Sequence, residues 1–241
     1  MWAIVIALLA LCKWAGLRWH GTKLAGPSLR QYWLCWPGLD PRPFAARRHT
    51  PALDWRPGGA KLVLGLFGFL VARRYWLAPP AVWYAMVSSL LVAHFGLIHL
   101  LCVWHRSQGI AVEPLMARPL RSGSLTDFWG RRWNTAFRDF SHRLVFLPVA
   151  RRYGARAGSL AVFLFSGLVH DLTVSVPAGG GYGLPTLFFL LQAVGVFLEK
   201  KFHFGGWWWT LAWMLPMPWL LFHAPFVEKV MRPFYERILF L

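Results

Sequence analysis

The sequence predicts an all-α protein that crosses a membrane several times. Of its 241 residues, 57% are hydrophobic and only 15% are charged, and mean hydropathy is +0.43. Apolar runs of about 20 residues, the length a helix needs to cross about 30 Å of hydrocarbon, recur along the chain. The basic residues gather in blocks between those runs, as in the loops of multi-pass membrane proteins. The economical organisation is one integral-membrane domain over residues 1–241, with basic loops at 20–60 and 105–156 and a motif-bearing centre at 118–176.

The formal charge of +17 raises nucleic acid as a partner, but no nucleic-acid-binding motif accompanies the basic blocks. Positive-inside topology and attraction to anionic lipid or to phosphates explain them better. Cys12, Cys35 and Cys102 are odd in number and far apart, with no C-x-x-C and no His pair at ligand spacing. They predict neither a disulfide framework nor a metal site.

Trp2 to about Trp19 reads as a first membrane helix, with Lys13 and Arg18 snorkelling at one end. It lacks the basic leader and A-x-A-like site of a cleaved signal peptide. From His20 to Ala60, Pro27, Pro37, Pro41, Pro43, Pro51 and Pro57 exclude a long helix. Within this loop the aromatics of Gln31 to Phe44, QYWLCWPGLDPRPF, suit a headgroup belt. Lys61–Leu77 and Ala81–Trp104 are the next apolar runs, with Pro79 and Pro80 marking the turn between them. His94 and His99 lie in the second of these on different faces. Each is a candidate to line a polar cavity or to bond a neighbouring helix.

Leu144–Ala150, interrupted by Pro148, is too short to span and suits a re-entrant piece or a bundle interior. Ala157–Val176 is long enough, and Ser159, Phe163, Ser166, His170 and Thr173 share one of its faces. That small and polar stripe should face protein rather than lipid. Gly179–Gly181 make a turn. Leu184–Leu198 ends at Lys200 and Lys201, Trp207–Phe222 is a Pro-bent run, and Val227–Leu241 is a short amphipathic helix. Placing both large basic blocks and Lys200/Lys201 on one side predicts cytoplasmic basic loops and an outside N-terminus.

The most informative stretch is Ser124–Phe140, SLTDFWGRRWNTAFRDF. Leu125, Phe128, Trp129, Trp133, Phe137 and Phe140 recur every three or four residues, which predicts one amphipathic helix. Ser124 and Asp127 fit a capping box at its start. Asp127, Arg131, Asn134 and Arg138 would lie together on the polar side. Periodicity alone describes an interfacial helix with a solvated face.

His170 adds a chemical possibility, because a neutral imidazole in a dry apolar helix beside Ser166 and Thr173 has the properties of a general base. There is no G-x-S-x-G, no Walker-type glycine loop and no dinucleotide fingerprint. A transporter or channel with His94, His99 and His170 along a polar path is one alternative. A noncatalytic lipid-binding membrane protein is another.

Ser124 to Asn134, SLTDFWGRRWN, resembles the S-L-x-D-F-W-G-R-R-W-N signature of the wax-synthase-like branch of the membrane-bound O-acyltransferases. His170, 36 residues after Asn134, resembles that family's catalytic histidine, and Trp36–Phe44 resembles an N-terminal motif of the branch. The resemblance extends over roughly residues 31–201. It implies about six to eight transmembrane helices, with interfacial and re-entrant helices, around a buried reaction chamber.

The implied reaction moves a fatty acyl group from a thioester, acyl-CoA as co-substrate, to the hydroxyl of a lipophilic alcohol, with no metal or bound cofactor. His170 is the expected general base, and Asn134 is expected to orient a reactant or donate to the oxyanion. Arg131, Arg132 and Arg138 are candidates for the donor's phosphates or for inner-leaflet anchoring. Trp133, Ser166 and Asp127 are further candidate binding residues. The expected setting is a multi-pass position in the inner or plasma membrane of a bacterium or the endoplasmic reticulum of a eukaryote.

Overall fold

In a computed structural model, which describes residues 1–240, the chain is helical and the described residues form no strand. Helix α1 spans Trp2–His20, α2 Gly26–Cys35, α3 Arg56–Arg74 and α4 Ala81–Ser107. A short α5, Leu125–Asp127, opens the motif, and α6 spans Thr135–Ser141. Then follow α7 (Leu147–His170), α8 (Leu184–Phe202), α9 (Trp207–Met214) and α10 (Arg232–Phe240). The C-terminal amphipathic helix is therefore present, with Leu241 outside the described residues.

Three stretches among the described residues are long and apolar enough to cross a membrane: Trp2–His20, Ala81–Ser107 and Thr135–Ala178. Both α3 and α8 reach 19 residues but carry acidic or basic residues, Arg56, Lys61, Arg73 and Arg74 on one and Glu199, Lys200 and Lys201 on the other. The Trp207–Phe222 run is not a continuous helix. Eight residues of α9 end before Pro216, and only the turn Pro218–Leu221 follows, because proline lacks an N–H and clashes with the preceding turn.

Cα packing divides the chain into two compact units. One comprises Ala7–Met116 and the C-terminal segment from Met231. Its centre is Lys13, which does not snorkel: only 1% exposed, its Nζ donates to the carbonyls of Tyr32 (2.5 Å), Trp36 (2.6 Å) and Gly38 (3.2 Å). It also lies 4.0 Å above the Tyr32 ring. A buried ammonium is tolerable only with such partners.

The aromatics of the Gln31–Phe44 stretch likewise turn inward, unlike a lipid-facing belt. Tyr32, Trp36 and Phe44 are buried, and Trp36, Phe44 and Trp104 surround the His105 ring edge-on. Tyr32 Oη donates within this core, to the carbonyls of Leu39 (3.0 Å) and Lys13 (3.1 Å). The helix α3 lies against α4 through small residues: a Cβ on Gly65 would meet the Ser88 carbonyl at 2.9 Å, and one on Gly96 the Leu62 Cα at 3.1 Å. Such close approach is how helices associate where lipid removes the hydrophobic drive. Helix α10 joins this unit through Tyr235, whose hydroxyl meets Ser89 Oγ at 2.7 Å.

The other unit comprises Met1–Ile6 and Ala117–Val230. Here α7 is not a straight rod. Gly154 has φ 84° and ψ 164°, outside the helical region. A Cβ on Gly158 would lie 2.9 Å from Ala150 Cβ and 3.0 Å from the Phe146 ring. Residues eight and twelve apart would be about 12 and 18 Å apart along one helix, so the chain doubles back at Gly154. The short apolar piece predicted as re-entrant is the first arm of this hairpin, and His170 ends the second.

Candidate active site

The motif is not a single helix. Ser124 caps α5, its Oγ accepting from Asp127 N at 3.0 Å, while the Asp127 carboxylate reaches back to Gly123 N at 3.1 Å. This is the predicted capping box with its return bond shifted one residue upstream. Phe128–Arg132 then form a wide π-type turn, Trp133 is extended, and Asn134 adopts the left-handed conformation at φ 41°. Asparagine tolerates that conformation better than most side chains. Asn134 Oδ1 accepts from Phe137 N at 3.2 Å and so caps α6. The predicted polar stripe through Asp127, Arg131, Asn134 and Arg138 is therefore broken at Trp133.

The basic residues separate accordingly. Arg132 Nε pairs with Asp127 Oδ2 at 2.5 Å, largely shielded from solvent. Burial alone would raise the Asp127 carboxyl, but the Arg132 and Gly123 hydrogen bonds and the charges of Arg132 and Arg131 outweigh it and hold it below its ordinary value. Arg138 Nη1 donates to the Gly130 carbonyl at 2.8 Å and its Nε pairs with Asp139 at 2.7 Å. Arg131 is exposed, and its charge adds to the hold on Asp127. Trp133, half-buried, stacks on Phe128 at 5.4 Å.

His170 is half-buried at the end of α7. Its Nδ1 lies 2.7 Å from the Ser166 carbonyl, which can only accept, so in the neutral ring Nδ1 carries the proton and Nε2 the lone pair. The Ser166 hydroxyl donates along its own helix to the Val162 carbonyl at 2.9 Å, so Ser166 serves His170 through its backbone. The imidazole packs 4.6 Å from the Phe189 ring, which lies 5.6 Å from Trp129 of the motif. Trp129 also meets Phe163, and Phe137 stacks on Phe165 at 5.9 Å. One aromatic cluster thus joins the motif to the helix that presents His170.

Several further residues of the site are not singled out by any motif. Asp171 Oδ1 accepts from Ser175 Oγ and Gly183 N, both at 2.8 Å, and Oδ2 from Thr186 N (3.1 Å) and the Thr186 hydroxyl. His223 is buried with Nδ1 accepting from Phe226 N at 3.3 Å, which leaves Nε2–H to donate to Ser175 Oγ at 3.1 Å. Burial lowers the His223 pKa, outweighing the opposing pull of the Asp171 charge and a backbone hydrogen bond. Glu199, also buried, accepts from Leu125 N (2.6 Å) and Thr126 N (3.1 Å) at the start of α5. Gln192 Oε1 accepts the Trp129 indole N–H at 3.3 Å.

A single acidic residue at the end of an apolar run, as Glu199 is, was the available signal; Lys200 and Lys201 disguised it as a helix-end charge cluster. His94 is exposed, and His99 Nε2 lies 2.8 Å from the Asp54 carbonyl. No group of three or more His, Cys, Asp or Glu among the described residues is placed to hold a metal ion.

Residues 112–191, which contain this whole aromatic cluster, match the Membrane bound O-acyl transferase family. The chain is 38% identical over 121 residues to a probable long-chain-alcohol O-fatty-acyltransferase 3 of Arabidopsis thaliana, covering 43% of this chain and 34% of that protein. It is 33% identical over 72 residues to the long-chain-alcohol O-fatty-acyltransferase of Simmondsia chinensis, covering 27% of this chain and 20% of that protein. The chain therefore spans about a third or less of the length of these curated relatives. No solved structure matches it. These matches support the wax-synthase-like kind of membrane bound O-acyl transferase.

Proposed function

We propose that this chain is a membrane-embedded O-acyltransferase that moves a fatty acyl group from acyl-CoA to the hydroxyl of a lipophilic alcohol, with His170 as general base. The observation that carries the reading is the locked imidazole. With Nδ1–H given to the Ser166 carbonyl at 2.7 Å, Nε2 is the basic nitrogen, and it sits in the aromatic cluster shared with the motif.

In this mechanism Nε2 takes the proton of the acceptor hydroxyl as its oxygen attacks the thioester carbonyl carbon. Collapse of the tetrahedral intermediate breaks the C–S bond, and the departing CoA thiolate recovers the proton from His170. No acyl-enzyme forms. Asn134 uses Oδ1 for its own helix, so the group it offers the developing oxyanion is Nδ2–H, an effect worth about 3–4 kcal/mol for one such donor. Arg131, exposed within the motif, is the best placed of the three arginines for the donor's phosphates, with Arg132 and Arg138 holding the loop. Trp133, Ser166 and Asp127 support the site through stacking, a carbonyl and an ion pair. Apolar walls limit water, whose attack would waste the thioester.

The test is purified protein in lipid with a labelled long-chain acyl-CoA and a panel of alcohols. Ester should form with wild type, and His170→Ala should fail to form it while remaining folded. Absence of ester with wild type, or full turnover by His170→Ala, defeats the proposal.

A further inference from the structure

One helix is bonded to both halves of the site. At its N-terminal end α8 presents Gly183 N, Thr186 N and the Thr186 hydroxyl to Asp171, the residue next to His170. A Cβ on Gly167 would come 2.6 Å from Thr186 Cα, so α7 and α8 are in backbone contact one turn before His170. At its other end Glu199 holds the first two N–H groups of α5. Between them Phe189 lies against His170, and Gln192 takes the indole of Trp129.

Asp171 is satisfied at the N-terminus of α8, where N–H groups point outward and the helix dipole favours negative charge, and Glu199 takes the otherwise unpaired first N–H groups of the short α5. Thirteen residues separate Thr186 from Glu199, a rigid length of about 20 Å. The two clamps are directional: without its hydroxyl Thr186 would hold Asp171 Oδ2 only through its backbone N–H, and each Glu199 oxygen serves one N–H of α5.

We propose that α8 is the gauge that sets where His170 stands relative to the 124–134 motif. Thr186 and Glu199 are positioning residues for the reaction proposed above, Thr186 acting through Asp171 and Glu199 through the first turn of α5. The inference rests on that reaction for its kinetic consequence, and on geometry alone for its effect on His170.

The experiment uses the full chain in lipid. Thr186→Val keeps the side chain's shape and removes its hydroxyl; Glu199→Gln replaces one acceptor oxygen with a donor. Each should lower kcat by about tenfold to a hundredfold, the range expected when reacting groups shift by a fraction of an ångström to one ångström, with both KM values unchanged. Thr186→Ser, which retains the hydroxyl, should recover most of the turnover.

Carbethoxylation by diethyl pyrocarbonate, read by mass spectrometry, supplies a measurement independent of turnover. Thr186→Val should change the labelling rate of His170 severalfold and leave that of exposed His142 as in wild type. Wild-type kcat in both Thr186→Val and Glu199→Gln overturns the proposal. So does unchanged His170 labelling in the folded fraction of a variant that loses turnover. If wild type forms no ester, the acyl-transfer reading fails, and the His170 labelling rate alone decides the role of α8.

Discussion

Each of the two units ties charged side chains to backbone groups at helix ends, and the signs are opposite. In one, the Lys13 ammonium collects three carbonyls at and beyond the C-terminal end of α2. In the other, Asp171 and Glu199 collect N–H groups at the starts of α8 and α5. Lys13 at the end of α2 and Asp171 at the start of α8 each sit at the helix pole that favours their charge. They differ in what they hold. Lys13 secures a proline-rich loop, whereas the carboxylates secure the residues beside His170 and the first turn of the motif.

If that contrast is right, damage to Lys13 is read in folding and damage near the motif is read in turnover. Lys13→Met leaves three buried acceptors unpaired at about 1–3 kcal/mol each, which is comparable with the whole stability of a domain. Thermal unfolding should show a large drop in midpoint, while protein that remains folded keeps its kcat. Reduced kcat per folded molecule would blur the distinction between the units.

Asn134→Gly tests the other side. Glycine accepts the left-handed conformation and costs a helix N-cap only a few tenths of a kcal/mol. Turnover should nevertheless fall about 10²–10³-fold if the amide donates to the oxyanion. A fall in stability with turnover preserved would make Asn134 a cap and nothing more.

The arginines sharpen the comparison within the motif. Arg131→Ala should raise the KM for acyl-CoA about tenfold, the loss of one charge-assisted hydrogen bond, at unchanged stability. Arg132→Ala should mainly lower the unfolding midpoint, since it strands Asp127. The smallest effect is on pH. Because Asp127 has its folded pKa below the unfolded value of about 3.9, its pair with Arg132 contributes fully above that value. The contribution is lost as pH falls through the lower folded one. Acid unfolding of Arg132→Ala should therefore be less steep than that of wild type in this window.

The helical class, the membrane character and the positions of most helices were legible, because long apolar runs and proline breaks record themselves locally. The motif and His170 were legible as residues, yet the path of the motif was not. A 3.6-residue period extends smoothly through Trp133–Asn134, and the sequence contains no glycine or proline there to announce the break; Asn134 supplies the left-handed residue itself. Lys13 was misread for a related reason, since snorkelling and inward capping use the same residue at the same helix position. The choice depends on carbonyls 19 to 25 residues away. Thr186 and His223 leave no local signal, because their partners lie 15 and 48 residues away, and Glu199 leaves only its place at the end of an apolar run, with partners 73 and 74 residues away.

The central claim is that His170 Nε2 accepts a proton, and His170→Gln tests it most directly. Glutamine fills much of the same space and offers an amide near the Nε2 position, but it cannot take up a proton. Ester formation should fall by about 10²–10⁴-fold, the contribution of a positioned general base, at a wild-type unfolding midpoint. Full turnover in folded His170→Gln would contradict the account.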